Sequence, residues 1–186
     1  MTDTSSHTEE PAAVGAAGGG LGAAAAREKA RYAGGEERPL GSYAGLMAAY
    51  GTMVVALAAL VRRRGRGLPE RIQLGDLALL SVATHKISRL LAKDPVTSPL
   101  RAPFTRFEGT SGPAELKEDV RGVGPRKAVG ELITCPFCLS QWIATLLAFG
   151  LVLAPRATRL AASIFTGLTA ADFLQFAYAG AEKIES

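Results

Sequence analysis

Apolar residues fall in four blocks separated by charged ones, and the length of each block says more than its period. Tyr43 to Val61, YAGLMAAYGTMVVALAALV, carries no charge and runs into RRRGRG. About 20 apolar residues cross the hydrocarbon core of a bilayer as a helix, so a first transmembrane helix is expected at 41–63. Arg62, Arg63, Arg64 and Arg66 then belong at the phosphate level. The second block, Gln73 to Ala92, has the same length but includes Asp76, His85, Lys86 and Arg89. Helical spacing gathers Ser81, His85, Ser88 and Arg89 into one stripe opposite Leu79, Ala83, Ile87 and Leu90. Such a helix either turns its stripe toward other helices or lies flat at the interface. Spanning over 73–92 is expected, because Lys86 and Arg89 sit near the end where they can snorkel to head groups. The third and fourth blocks, Leu132 to Ala154 and Leu160 to Ala179, predict helices at about 132–154 and 158–180. Their link, PRATR, is short enough to make them antiparallel neighbours.

The polar remainder completes the plan. Residues 93–129 read as a soluble loop broken by Pro and Gly, with PAELKEDVR as one short helix starting at its proline. Seven Lys/Arg against five Asp/Glu in that stretch place it over the membrane surface. Residues 73–181 thus form one membrane domain. Residues 1–40 include AAGGGLGAAAA and hold too few large apolar side chains to offset the entropy of ordering, so a disordered tail is expected. Within it AAAAREKARYA offers only a transient helix. The opening MTDTSSHTEEPAAVG is acidic and polar, unlike a cleavable secretory signal. The fold class is all-α: a helical integral membrane protein with three to four transmembrane helices and a disordered N-terminal tail.

Composition changes this picture little. A content of 48% hydrophobic and 20% charged residues suits one domain with extra segments. The net charge of +4 would suit anionic lipid or nucleic acid. The cations cluster beside apolar blocks, and 6% aromatic residues offer bases no stacking surface, so the expected partner is the lipid bilayer and not nucleic acid. Two cysteines exclude a disulfide framework.

Those cysteines, Cys135 and Cys138 in ELITCPFCLSQW, are the first candidate chemistry. A C-x-x-C pair ahead of a helix forms an exchangeable disulfide, and the helix N-terminus favours the thiolate. The Cys-Pro-aromatic-Cys order is similar to the glutaredoxin motif, but no strand and helix alternation surrounds it. Membrane disulfide enzymes on four-helix bundles generally use a second cysteine pair, which this chain lacks. A closed zinc site needs four ligands; the chain offers Cys135, Cys138, His85 and a tail His7, and a homodimer could supply four thiolates instead. In the structural alternative Pro136 fills the first helical turn and the two thiols pack as small apolar groups. No cofactor is predicted, and an enzymatic role is the less favoured reading.

The second constellation is polar and intramembrane. Asp172 and Gln175 share a helix face inside the fourth block. An isolated Asp172 in hydrocarbon would be costly, so it is expected to face His85, Lys86 or Arg89. A packing pair explains this more simply than an ion path. RGVGPRK and GGG lack the strand and GK[ST] context of phosphate loops, and Ser140 lacks a G-x-S-x-G context.

THKISRLLAKDPVTSPLRAPFTRFEG, ELITCPFCLSQWIA and ADFLQFAYA together resemble the domain of unknown function 1360 family of small bacterial membrane proteins, chiefly through CPFC-x-x-x-W. That family, found in spore-forming bacilli and actinomycetes, has no assigned activity, so the resemblance implies a class and a location without a reaction. It also implies that the tail and first helix are an added module. The Gly/Ala-rich and Arg-rich composition suits an actinomycete.

The chain is therefore expected in the cell membrane as a multi-pass protein. With four spans, the tail, the long loop and the C-terminus share one side, carrying four, seven and one Lys/Arg against five and two on the other. If the second block lies flat, both basic loops become cytoplasmic. The CPFC motif is assigned to the cytoplasmic face, where a disulfide does not persist. The functional expectation is a non-enzymatic packing or partner-binding membrane module. The alternatives are a thiol-disulfide oxidoreductase attacking through Cys135 and resolving through Cys138, and a metal-linked dimer.

Overall fold

The computed structural model describes residues 19–33 and 38–185. Helix α1 (Gly19–Ala33) is exposed at each position whose side chain is described. Its run of Ala, Arg, Glu and Lys explains why this part of the expected tail is helical. The rest of that tail lies outside the described residues, apart from Arg38 and Pro39, which lead into the next helix.

Helix α2 (Leu40–Arg63) follows Pro39 and ends at Gly65, whose φ of 64° is left-handed and costs least in glycine. The Arg66 N–H then bonds the Val61 carbonyl, closing the helix end. Helix α3 (Leu74–Lys93) stops where Asp94, held extended ahead of Pro95, cannot continue it. A 3₁₀ turn (Pro95–Thr97) and the four-residue α4 (Ser98–Arg101) lead into a hairpin of β1 (Thr105–Gly112) and β2 (Glu115–Val120). Helix α5 (Gly124–Thr134), α6 (Pro136–Leu153) and α7 (Pro155–Glu185) complete the chain.

Three sequence expectations differ from the structure. The stretch 93–129 is not a loop with one helix: PAELKEDVR supplies the hairpin turn and β2, with Pro113 and Ala114 at the tip. Leu116, Glu118 and Val120 turn inward while Lys117 and Asp119 face out, so the inward position held by a glutamate hid the two-residue period. The apolar block at 132–154 is divided, because Pro136 lacks an N–H and restricts Cys135 to an extended conformation, ending α5 at Thr134. The fourth helix, expected at 158–180, runs from Pro155 to Glu185.

Helices α2, α6 and α7 are long and apolar enough to cross a membrane. Helix α3, equal to the shortest of them within two residues, packs against both α6 and α7. Tyr50 meets Thr145 at 2.8 Å and stacks edge-on against Trp142, while Arg66 reaches the Leu153 carbonyl at 2.6 Å, so α2 and α6 run parallel. Arg159 meets Asp76 and Asp172 meets Lys86, so α3 and α7 run parallel to each other. One end of the bundle therefore carries the hairpin, α5 and the thiol pair, and the other carries the arginines after α2.

Buried apolar residues are few and small. Ala83, Ala92 and Ala162 are closed off where helices meet, while Met47, Val55, Leu160, Ile164 and Phe173 face outward. Helices that associate in lipid pack through small residues and leave their large apolar side chains to the acyl chains. Gly150 shows how close α6 and α7 come: a Cβ there would lie 2.8 Å from Thr158 Oγ1.

Candidate functional site: the thiol pair and the polar cap

Cys135 is the single extended residue between α5 and α6, with φ −101° and ψ 105°. Its Sγ accepts the Cys138 N–H at 3.2 Å, so the thiol serves as the N-cap of α6 and satisfies a donor the helix leaves free. The Cys138 thiol lies 2.7 Å from Cys135 Sγ, and both cysteines are free. Cys135 is half-buried, Cys138 is exposed, and Phe137 between them is 87% exposed. Reactive thiols sit beside cations. Here the charged neighbour of Cys138 is the Glu131 carboxylate, which accepts from the Tyr43 hydroxyl and lies 4.0 Å from Arg38. Among the described residues no group of three His, Cys, Asp or Glu is arranged to hold a metal ion, and the tail His7 lies outside them.

The intramembrane polar residues divide. Lys86 Nζ donates to Asp172 Oδ2 across α3 and α7, and Arg89 clasps Glu115 on the hairpin. His85 and Gln175 are exposed and line, with Lys86, Arg89 and Asp172, a cavity of about 510 Å³ beneath the hairpin tip. Cys135 and Cys138 are not among its lining residues. The stripe on α3 is not uniform: Ser81, His85 and Arg89 face outward, while Ser88 is buried and bonds the His85 carbonyl. At the opposite end Arg159 meets Asp76 in a two-pronged pair at 2.8 and 2.7 Å.

Arg101 was not singled out from the sequence, and it organises the cap. Its side chain is 1% exposed. The guanidinium donates to Glu118, to the Leu91 carbonyl at 2.8 Å, to Thr97 Oγ1 at 2.7 Å and to the Asp94 carbonyl at 3.0 Å. A planar fork with five donors can tie a helix end, a turn and a strand together in this way, and a lysine cannot. The signal was faint: an arginine flanked by Pro99 and Pro103 in a segment otherwise read as surface. Gly130 fixes α5 to this cap, since a Cβ there would stand 2.6 Å from Val120 Cγ1 and 3.2 Å from the Phe104 carbonyl.

A family of proteins of unknown function, DUF1360, matches residues 79–178, from the second turn of α3 to the last third of α7. The sporulation protein YjcA of Bacillus subtilis (strain 168) is 31% identical over 86 residues, covering 45% of this chain and 73% of that protein. No solved structure matches the chain.

Proposed function

Because the chain belongs to the DUF1360 family of proteins of unknown function, we propose that it is a non-enzymatic multi-pass protein of the cell membrane whose hairpin cap is a rigid platform for a partner at the cytoplasmic face. The observation that carries this reading is the role of Cys135. Its sulfur is spent on capping α6, and the charged neighbour of the pair is a carboxylate. The Arg101 cluster supports it further, because four donated bonds to three elements hold the hairpin in one orientation. The likeness to a sporulation protein supports a role in sporulation or a comparable developmental programme.

One observation favours a second reading. Two free thiols 2.7 Å apart at a helix N-terminus are placed for thiol-disulfide exchange, and because Cys138 is the exposed one, it would attack and Cys135 resolve, the reverse of the order expected from the sequence. A metal-linked homodimer through the same thiols is the third. A membrane-impermeant maleimide applied to intact and permeabilised cells, with and without prior reduction, separates them. Labelling only after permeabilisation, with no need for reductant, is the result expected of a cytoplasmic helix cap. Labelling of intact cells only after reduction would overturn it in favour of an external disulfide. Protection that a chelator removes would point to the metal-linked dimer.

A further inference from the structure

Away from the thiols, at the arginine-rich end of the bundle, a second cavity of about 700 Å³ opens between the loop after α2 and the first half of α3, with α6 as its floor. Ligand sites fall in the range of about 300–1,000 Å³. Leu77, Leu80, Ala148 and Leu151 make its walls apolar, and Arg66, Arg71 and Arg159 stand at its mouth. Two of these arginines are occupied. Arg66 donates to the last carbonyls of α6, and Arg159 is paired with Asp76. Among the described residues Arg71 has no hydrogen bond or ion pair.

Thr84, which lines this cavity, supplies an independent observation. Its side-chain oxygen is buried without a hydrogen-bond partner, the single such atom among the described residues. Other hydroxyls on the helices turn back to the carbonyl four residues earlier, as Thr52, Ser81, Thr145 and Thr169 do. Thr84 does not, although it is only 8% exposed. A buried hydroxyl left unmade is unfavourable, so an occupant carrying a hydrogen-bonding oxygen is favoured there.

We infer that this groove binds one anionic membrane lipid, its phosphate held by Arg71 at the mouth, its chains along the apolar walls, and an oxygen of its body meeting Thr84 Oγ1. Eight residues of helix separate Asp76 at the mouth from Thr84, about 12 Å, so the oxygen that reaches Thr84 belongs to the body of the lipid and not to its phosphate. Charge complementarity selects the head group: the mouth carries three arginines against one aspartate, which favours an anionic head group over a neutral one. An uncharged amphiphile would fill the walls and leave Arg71 unmet.

The inference rests on the membrane reading above, and the two fail separately. A chain that does not enter lipid nanodiscs sinks that reading, whereas the lipid site is judged only on protein that does. Full-length protein is reconstituted into phosphatidylcholine discs containing a minor fraction of phosphatidylglycerol, released into mild detergent, and the lipid it keeps is counted by native mass spectrometry. One phosphatidylglycerol is expected to be retained in preference to phosphatidylcholine. Thr84→Val, which keeps the side-chain shape, and Arg71→Gln should each weaken retention about fivefold. Arg64→Gln, close by but outside the groove, should not. Ala148→Leu, which fills the groove from its floor, should abolish retention, and melting in phosphatidylcholine discs checks that each variant is folded. Equal retention of phosphatidylcholine overturns the anionic selectivity. Unchanged retention in Thr84→Val, with Arg71→Gln and Arg64→Gln falling alike, overturns the site and leaves general attraction of lipid to a basic surface.

Discussion

The cap and the bundle bury charge in opposite ways. In the cap, Arg101 is closed off with Glu118, 1% and 6% exposed, and each of its three guanidinium nitrogens has a partner. In the bundle, Lys86 and Asp172 meet with 22% and 40% of their side chains still exposed, beside a cavity that opens outward. A fully buried pair contributes rigidity only while both partners remain, because removing one strands the other in a medium that cannot solvate it. A half-open pair has water or head groups as a substitute. The cap is therefore the brittle region of this protein, and the bundle the tolerant one.

The widest separation between the two should come from single-partner removal. Arg101→Met is expected to destabilise the cap by about 3–5 kcal/mol, and the double change Arg101→Met with Glu118→Leu should recover most of that loss. Denaturant titration in micelles, with hydrogen exchange on the hairpin amides, reads both. If the double variant is no better than the single one, the pair is not the unit that holds the cap.

Backbone closeness in the cap gives the next effect. Gly130→Ala forces a methyl against Val120 and the Phe104 carbonyl and should cost about 1–3 kcal/mol, with hairpin amides losing protection before those of α6. Equal protection in both regions would mean that the two do not unfold separately.

In the bundle, Asp172→Asn should cost about 1 kcal/mol or less, as polar contacts between membrane helices do. A loss as large as that of Arg101→Met would erase the distinction drawn above. A comparable effect, and the smallest of all in its conservative variant, belongs to the boundary between the regions. Cys135→Ala should cost about 1 kcal/mol through the lost N-cap, and Cys135→Ser, whose oxygen can accept the same N–H, only a few tenths. A serine variant as unstable as the alanine one would remove the capping role assigned to the sulfur.

The bundle was largely legible in the sequence. An uncharged run such as Tyr43 to Val61 has one low-energy solution in lipid, a helix that satisfies its own backbone. The cap was not. Glu118 occupies an inward strand position that a hydrophobic pattern assigns to an apolar residue, and its only justification is Arg101, 17 residues earlier. The division at Cys135 could be read locally, since Pro136 both ends α5 and begins α6. Thr84 stood in the stripe-bearing helix as an ordinary threonine, and its lack of a partner depends on how α3, α6 and the loop after α2 enclose it.

By itself, then, the sequence determined the helical class, the apolar spans and the position of the thiol pair, all of which follow from interactions within a few residues or with solvent lipid. Only the tertiary structure decided that 105–120 pairs as a hairpin, that Arg101 is buried, and that two cavities lie at opposite ends of the bundle. Each of those depends on groups distant in sequence satisfying one another in space, and no local period encodes such a pairing.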